Sequence, residues 1–148
     1  MMPSELIDAN VLVYSVFAAS PQYAASLSLL EKAADANTSF YVFPHILAEF
    51  FAVITNSKRV SPAKTPQEAI AAVEKLLVLP GLSVLPLPAA TVTRWVQLIR
   101  SRPVKAGKVF DRQTAAAMIL YGINTIYTYN LADFQGIPGI TAKEPPSH

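Results

Sequence analysis

Apolar positions along this chain switch repeatedly between two periods. Short runs rich in β-formers alternate with longer stretches in which apolar residues recur at helical spacing. Glu5-Leu6-Ile7 reads as a buried strand ending at Asp8, followed by a short helix through Val11-Leu12-Val13-Tyr14. Ser20-Pro21 offers an N-cap and a first-turn proline for a helix carried by Leu27, Leu30 and Ala34 and closed near Asn37. Ser39 to Phe43 is dense in β-formers and predicts a second strand. Pro44 opens a helix to about Asn56, with Ile46, Leu47, Phe50, Phe51, Val53 and Ile54 on a broad apolar face and Glu49 at its edge. Thr65-Pro66, with Glu68 completing a capping box, starts a helix to Leu79. Pro80-Gly81 is a turn, Ser83 to Leu85 a short strand, and Pro88 the start of a helix to about Arg100. Arg102 to Gly107 is loop-like. An alanine-rich helix then runs from about Thr114 to Gly122, followed by a fourth strand at Thr125 to Thr128 and a turn at Asn130 to Asp133.

Alternation of strands and helices predicts an α/β fold, with a mostly parallel sheet covered on both faces. In such sheets ligands bind beyond the carboxyl ends of the strands. The length suits one domain, taken here as residues 1–142, with 143–148 a flexible tail containing Pro145-Pro146. No apolar stretch approaches the length of a bilayer span, and the N-terminus lacks a signal-peptide pattern, so a cytoplasmic protein without membrane attachment is expected.

Charge changes this picture more than composition does. Charged residues make up 15% of the chain, against about 25% in an average domain. So sparse a charged surface suggests apolar area covered by a partner or a second copy. Four of the ten acidic residues sit inside apolar runs: Asp8, Glu49, Asp111 and Asp133. Burying a carboxylate without compensation is costly. Four brought together would repel one another, and a hard divalent cation such as Mg²⁺ or Mn²⁺ turns that repulsion into a binding site. With those four set aside, twelve basic residues face six acidic ones. No acid lies between Glu74 and Asp111, a stretch holding Lys75, Arg94, Arg100, Arg102, Lys105 and Lys108, with Arg112 just beyond. A basic region beside an acidic metal site suits a polyanion such as RNA or DNA. The residues therefore read as a metal-dependent nuclease.

Each residue also has a plainer reading. Asp8 or Asn10 can cap the first helix, and Asp111 can cap the alanine-rich one. Glu49 can be a surface helix residue, Asp133 a turn residue, His45 a packed histidine and the basic stretch a solvated face. Rival chemistries find less support. There is no cysteine, no glycine-rich nucleotide fingerprint and no G-x-S-x-G motif.

Four segments carry a family resemblance: Ile7-Asp8-Ala9-Asn10-Val11-Leu12-Val13-Tyr14, Leu47-Ala48-Glu49-Phe50, Phe110-Asp111-Arg112-Gln113-Thr114-Ala115-Ala116 and Thr128-Tyr129-Asn130-Leu131-Ala132-Asp133-Phe134. In this order they resemble the PIN domain, and within it the VapC-type toxins of toxin–antitoxin systems. The family commonly has Thr or Ser where this chain has Ala9. The resemblance implies a three-layer α/β/α sandwich and a Mg²⁺- or Mn²⁺-dependent endoribonuclease, usually a homodimer, inhibited by a co-expressed antitoxin. Carried onto this chain, it implies Asp8 as central metal ligand, with Glu49, Asp111 and Asp133 completing the set. Asn130 and Thr128 would orient water or phosphate, and Arg100, Arg102, Lys105 and Arg112 would hold the RNA backbone. The alternatives are a PIN-like domain that binds RNA or a partner without cutting, and a metal-dependent DNA nuclease or phosphatase.

Overall fold

The computed structural model describes residues 4–147; residues 1–3 and 148, the ends of the expected domain and tail, lie outside the described residues. Five short strands form one sheet: β1 (Glu5–Ile7), β2 (Phe40–Val42), β3 (Leu82–Val84), β4 (Thr125–Tyr127) and β5 (Thr141–Lys143). Their spatial order is β3-β2-β1-β4-β5, and every neighbouring pair is parallel. Six α-helices connect them: α1 (Ala9–Tyr14), α2 (Tyr23–Lys32), α3 (Pro44–Ile54), α4 (Pro66–Leu77), α5 (Thr91–Ser101) and α6 (Val109–Tyr121). From β1 the chain steps outward through β2 to β3, then crosses back to β4 and β5. Right-handed crossovers in the two directions put α1–α4 on one face and α5–α6 on the other. The packing agrees: α1 meets α2 and α3, α3 meets α4, and α5 lies along α6. This is the expected three-layer α/β/α arrangement, with the sheet wholly parallel.

Burial follows from that layering. The inner strands are covered on both sides, so Leu6, Ile7 and Ile126 are inaccessible to solvent, while edge strand β3 exposes Ser83 and Val84. Phe43, Phe50, Leu12, Met118 and Phe134 complete the interior. Each such side chain contributes about 1.5–3 kcal/mol relative to an exposed one. Ala115, Ala116 and Ala117 are fully buried, small side chains in a helix packed closely along α5. Gly122 ends α6 in the left-handed conformation, at φ 72°. Gly81 is required by crowding: a Cβ there would stand 2.6 Å from the Asp35 carbonyl oxygen.

Several expectations are met closely. α3 begins at Pro44, and α4 carries the capping box, with Glu68 N donating to Thr65 Oγ1 at 3.1 Å and Thr65 N donating to Glu68 Oε1 at 2.9 Å. Others need correction. Ser20 does not cap α2: its backbone closes turns with Phe17 and Tyr23 as the chain leaves α1, and the helix starts at Tyr23. The same helix stops at Lys32, not near Asn37. Thr38 Oγ1 donates to the Lys32 and Asp35 carbonyls, and Gly81 N donates to the Ala33 carbonyl at 2.7 Å. α5 begins at Thr91, because Pro88 is used in a turn closed by Thr91 N. β5 was not anticipated; it pairs with β4 from Thr125↔Thr141 to Tyr127↔Lys143.

A long apolar groove of about 710 Å³ lies between α2, α3 and α4, lined by Leu27, Leu30, Phe50, Ile54, Ala72 and Leu76. Lys64, Lys75, Glu31 and Glu68 stand around it. Among the described residues no helix is long and apolar enough to cross a membrane.

Candidate active site

The sheet changes direction at β1, between the outward path through β2 and the return through β4. Ligand sites in parallel sheets form at the carboxyl side of such a switch point. Asp8 is the first residue beyond β1 there, and its N–H extends the ladder by donating to the Tyr127 carbonyl at 3.0 Å. Asp8 is 7% exposed, and its carboxylate is held from three directions. Oδ1 accepts from Ala9 N at 2.8 Å, so Asp8 does cap α1. Oδ2 accepts from the Thr128 hydroxyl at 2.9 Å and from Asn10 Nδ2 at 3.4 Å. Burial raises the Asp8 pKa; these hydrogen bonds oppose the rise, and the Asp133 charge adds to it.

Helices bring the next two acids to the same edge. α3 starts directly after β2 and places Glu49 in its second turn; α6 starts at the same side and places Asp111 in its first turn. Asp111 is thus inside the helix and is not its cap. Asp8, Glu49 and Asp111 line one polar cleft of about 260 Å³ together with Asn10, Arg59 and Asn130. The groups feel one another. Burial pushes Asp111 up to about 7, helped by the charges of Asp133, Asp8 and Glu49 and opposed by Lys108. Burial and then Asp8 raise Glu49, and Arg59 pulls it back.

Asp133 stands in a 3-10 turn, Leu131–Asp133, just beyond β4. It acts electrostatically on Asp8 and Asp111 but is not among the residues lining the cleft, and its Oδ1 receives Lys108 Nζ at 2.8 Å. Among the described residues no group of three or more His, Asp or Glu side chains is gathered tightly enough to hold a metal ion by itself. The acids ring the cleft without closing on its centre. This donor set still suits Mg²⁺ or Mn²⁺: it is all hard oxygen, mutually repelling, and open to water. Mg²⁺ characteristically uses one or two carboxylates, several waters and substrate phosphate oxygens, with no closed protein cage.

Two expected roles change. Thr128 is fully buried, and its hydroxyl is saturated: it donates to Asp8, and accepts from Asn10 Nδ2 at 3.1 Å and from Asn130 N at 3.0 Å. It positions Asp8 and has nothing left to orient a water. Arg112 is 9% exposed and points inward, with Nη1 donating to the Asp133 carbonyl at 2.9 Å. It braces the turn that carries Asp133 and is not available to an RNA backbone. Arg102 is exposed, though Nη1 donates to the Gln135 carbonyl at 2.9 Å; Arg100 and Lys105 are exposed outside the cleft. Asn130 lines the cleft. His45 packs between helices: Nε2 lies 2.8 Å from Thr114 Oγ1 and the ring stacks on Phe43. Sequence reasoning missed Arg59 and Asn10. Asn10 ties the site together, since its Oδ1 also accepts from Tyr129 N at 2.9 Å.

The PIN domain family model matches residues 6–138, which includes every one of these side chains. The chain belongs to the PIN domain family. Solved structures with the same fold agree with that membership. This PIN domain superposes with TM-score 0.66 and 20% identity on VapBC2 from Rickettsia felis bound to a promoter DNA fragment, covering 95% of this chain and 98% of that one. With VapC20 of Mycobacterium tuberculosis, described as a toxin that cleaves the sarcin-ricin loop, the TM-score is 0.67 at 14% identity, over 92% and 98% of the two chains. With DNA-bound VapBC from Salmonella typhimurium the TM-score is 0.65 at 19% identity, over 98% and 100%. No match was found among curated proteins.

Proposed function

We propose that this PIN domain is a metal-dependent endoribonuclease and the toxin half of a toxin–antitoxin pair. One observation carries the reading: Asp8, Glu49 and Asp111, from three distant segments, line one polar cleft at the switch point of the sheet. All three have pKa values raised by burial and, in part, by neighbouring carboxylates, which is the electrostatic mark of a site prepared for a cation. Asp8 is the central ligand, oriented by Ala9 N, Asn10 and Thr128. Glu49 and Asp111 would hold the cation with it, directly or through water, and Asp133, now paired with Lys108, would add its charge to the set. When bound, a divalent cation polarises a phosphoryl oxygen and lowers the pKa of a coordinated water. The protein's part is to fix the scissile phosphate in line with that water and to keep the acids ionised around it. Asn130, at the cleft wall, is placed to hydrogen-bond a phosphate or a water.

The antitoxin would occupy the groove between α2, α3 and α4, laying an amphipathic helix against its apolar floor. Three of the structural relatives are themselves toxin–antitoxin or VapBC assemblies, which supports a partner of this kind. Exposed Ile70, Leu77 and Val78 on and beside α4 add apolar surface for a second copy, in line with a homodimer.

The deciding experiment incubates the purified protein with RNA, with DNA of the same sequence and with a small phosphate ester, each with Mg²⁺, Mn²⁺ or a chelator. RNA alone should be cut, at discrete positions, and the chelator should stop it. Cleavage of DNA or of the ester in place of RNA would reassign the substrate. Tight RNA binding with no cleavage under any metal would make the protein a binding module.

A further inference from the structure

A cleft walled by three carboxylates repels the polyanion it is meant to receive. A basic side chain that meets the phosphate beside the cation must reach this cleft, and none of the basic residues singled out from sequence lines it. Lys108 is committed to Asp133 at 2.8 Å, Arg112 is buried against the Asp133 carbonyl and Arg102 is tied to the Gln135 carbonyl. Arg59 differs from all three. It lines the cleft beside Asp8, Glu49 and Asp111, on the connection between α3 and α4. Among the described residues its side chain makes no hydrogen bond and no ion pair within 4.0 Å. Its backbone, in contrast, is held. Arg59 N donates to the Asn56 carbonyl at 2.9 Å, Lys58 N to Asn56 Oδ1 at 2.9 Å, and Lys64 N to the Ile54 carbonyl at 2.7 Å. The connection is therefore anchored at both ends while five guanidinium donors remain unspent over an acidic cleft.

Building on the nuclease reading above, we propose that Arg59 is the phosphate-gripping residue of the cleft, its guanidinium taking two non-bridging oxygens of the RNA phosphate that enters between the carboxylates. The planar fork of arginine matches a phosphate in two parallel hydrogen bonds, which an ammonium cannot do. Arg59 would then meet the phosphate in the same cleft whose acids would hold the cation. The competing role is an internal counter-ion: Arg59 neutralising Glu49 in place of the metal. A counter-ion of that kind would close on its partner, and Arg59 stays outside ion-pair distance of Glu49.

The test uses Arg59→Gln and Arg59→Lys in the full chain. RNA binding is read by fluorescence anisotropy in an Asp8→Asn background, so that cleavage does not intervene. Cleavage is read in the otherwise unaltered protein, and Mn²⁺ binding by titration with electron spin resonance. Arg59→Gln should weaken RNA binding about tenfold and lower the slope of log K against log salt by about one. Cleavage should fall about a hundredfold or more, with Mn²⁺ binding unchanged. Arg59→Lys should recover most of the binding but little of the cleavage, because charge returns without the fork. Unchanged RNA affinity and salt slope in Arg59→Gln overturns the proposal. So does retained cleavage with markedly tighter Mn²⁺ binding, which is the counter-ion outcome. The two readings fail separately. If the unaltered protein binds RNA through Arg59 but never cuts it, the nuclease assignment falls and the phosphate contact stands. If both the unaltered and Arg59→Gln proteins cut equally well, the contact falls and the nuclease stands.

Discussion

The acid cleft encloses about 260 Å³ and draws its walls from Asp8 and α1, α3 and the connection after it, α6 and the turn after β4, segments spread over residues 8–130. The apolar groove is nearly three times larger, about 710 Å³, yet every residue lining it lies within 15–79. The cleft is polar, and its central carboxylate is fixed by hydrogen bonds; the groove is made of Leu, Ala, Phe and Ile side chains with charges only at its rim. Directional bonds at a switch point make a small site suited to chemistry on one bond. A long apolar trough of contiguous helices makes a site suited to a partner's helix. α3 is common to both, with Glu49 turned to the cleft and Phe50 and Ile54 to the groove.

That contrast can be broken by mutation. The largest effect belongs to Asp8→Asn, which keeps shape and the contact with Ala9 but removes the central charge. RNA cleavage should drop by about a thousandfold or more, with the thermal melting profile retained and binding to the groove's partner unchanged. Full activity in protein free of contaminating nuclease would remove Asp8 from the centre of the mechanism. The reverse separation comes from the groove. Ala71 is exposed there, so Ala71→Glu should leave the fold and RNA cleavage intact. Binding of the cognate antitoxin, measured by calorimetry, should weaken about ten- to a hundredfold as a charge is forced against apolar surface. Equal loss of cleavage would show that the two regions are not independent.

The smallest effect concerns pH. In the folded metal-free protein Asp111 holds its proton up to about pH 7, against an ordinary value of 3.8. A raised carboxylate pKa means the folded state binds the proton more tightly than the unfolded state. The stability linked to this group is therefore complete below about pH 4 and is lost as pH rises toward 7. Asp111 is partly exposed, so after solvent screening the loss is on the order of 1–2 kcal/mol, or a few degrees in melting temperature. Melting the metal-free protein across that range should show the decline, Asp111→Asn should flatten it, and Mg²⁺ should reverse it. A pH-independent melting difference between the two proteins would show that the cleft acids do not repel as described.

Asp8, Glu49 and Asp111 were legible in the sequence because each is a carboxylate in an apolar run, and apolar runs fold inward. The alternation of elements likewise made the layered parallel sheet readable. Arg59 was not, since Asn56-Ser57-Lys58-Arg59 looks like any polar connection and its nearness to Glu49 exists only once α3 and α4 are placed. The burial of Arg112 had a signal that was passed over: it lies three and four residues before Ala115 and Ala116 and so shares their inward face. The role of Thr128 was not legible because its hydroxyl is taken up by Asp8 and Asn10, 120 and 118 positions away, and by Asn130, contacts that exist only once β1 and β4 are paired. β5 escaped because Thr-Ala-Lys carries no apolar pattern; an edge strand with one half-covered residue needs none.

Asp8 and Thr128 are joined by a hydrogen bond across 120 positions of chain, and this sets an order of events during synthesis. The ribosome makes the central acid 120 residues before its clamp. Until β4 emerges, β1 has β2 on one side and an open edge on the other, and the Asp8 carboxylate has neither Thr128 nor the Asn10–Tyr129 tie to hold it. A growing chain therefore carries the groove-forming helices well before it carries an assembled cleft. A partner that recognises α2–α4 would find its surface on the growing chain before the cleft is assembled.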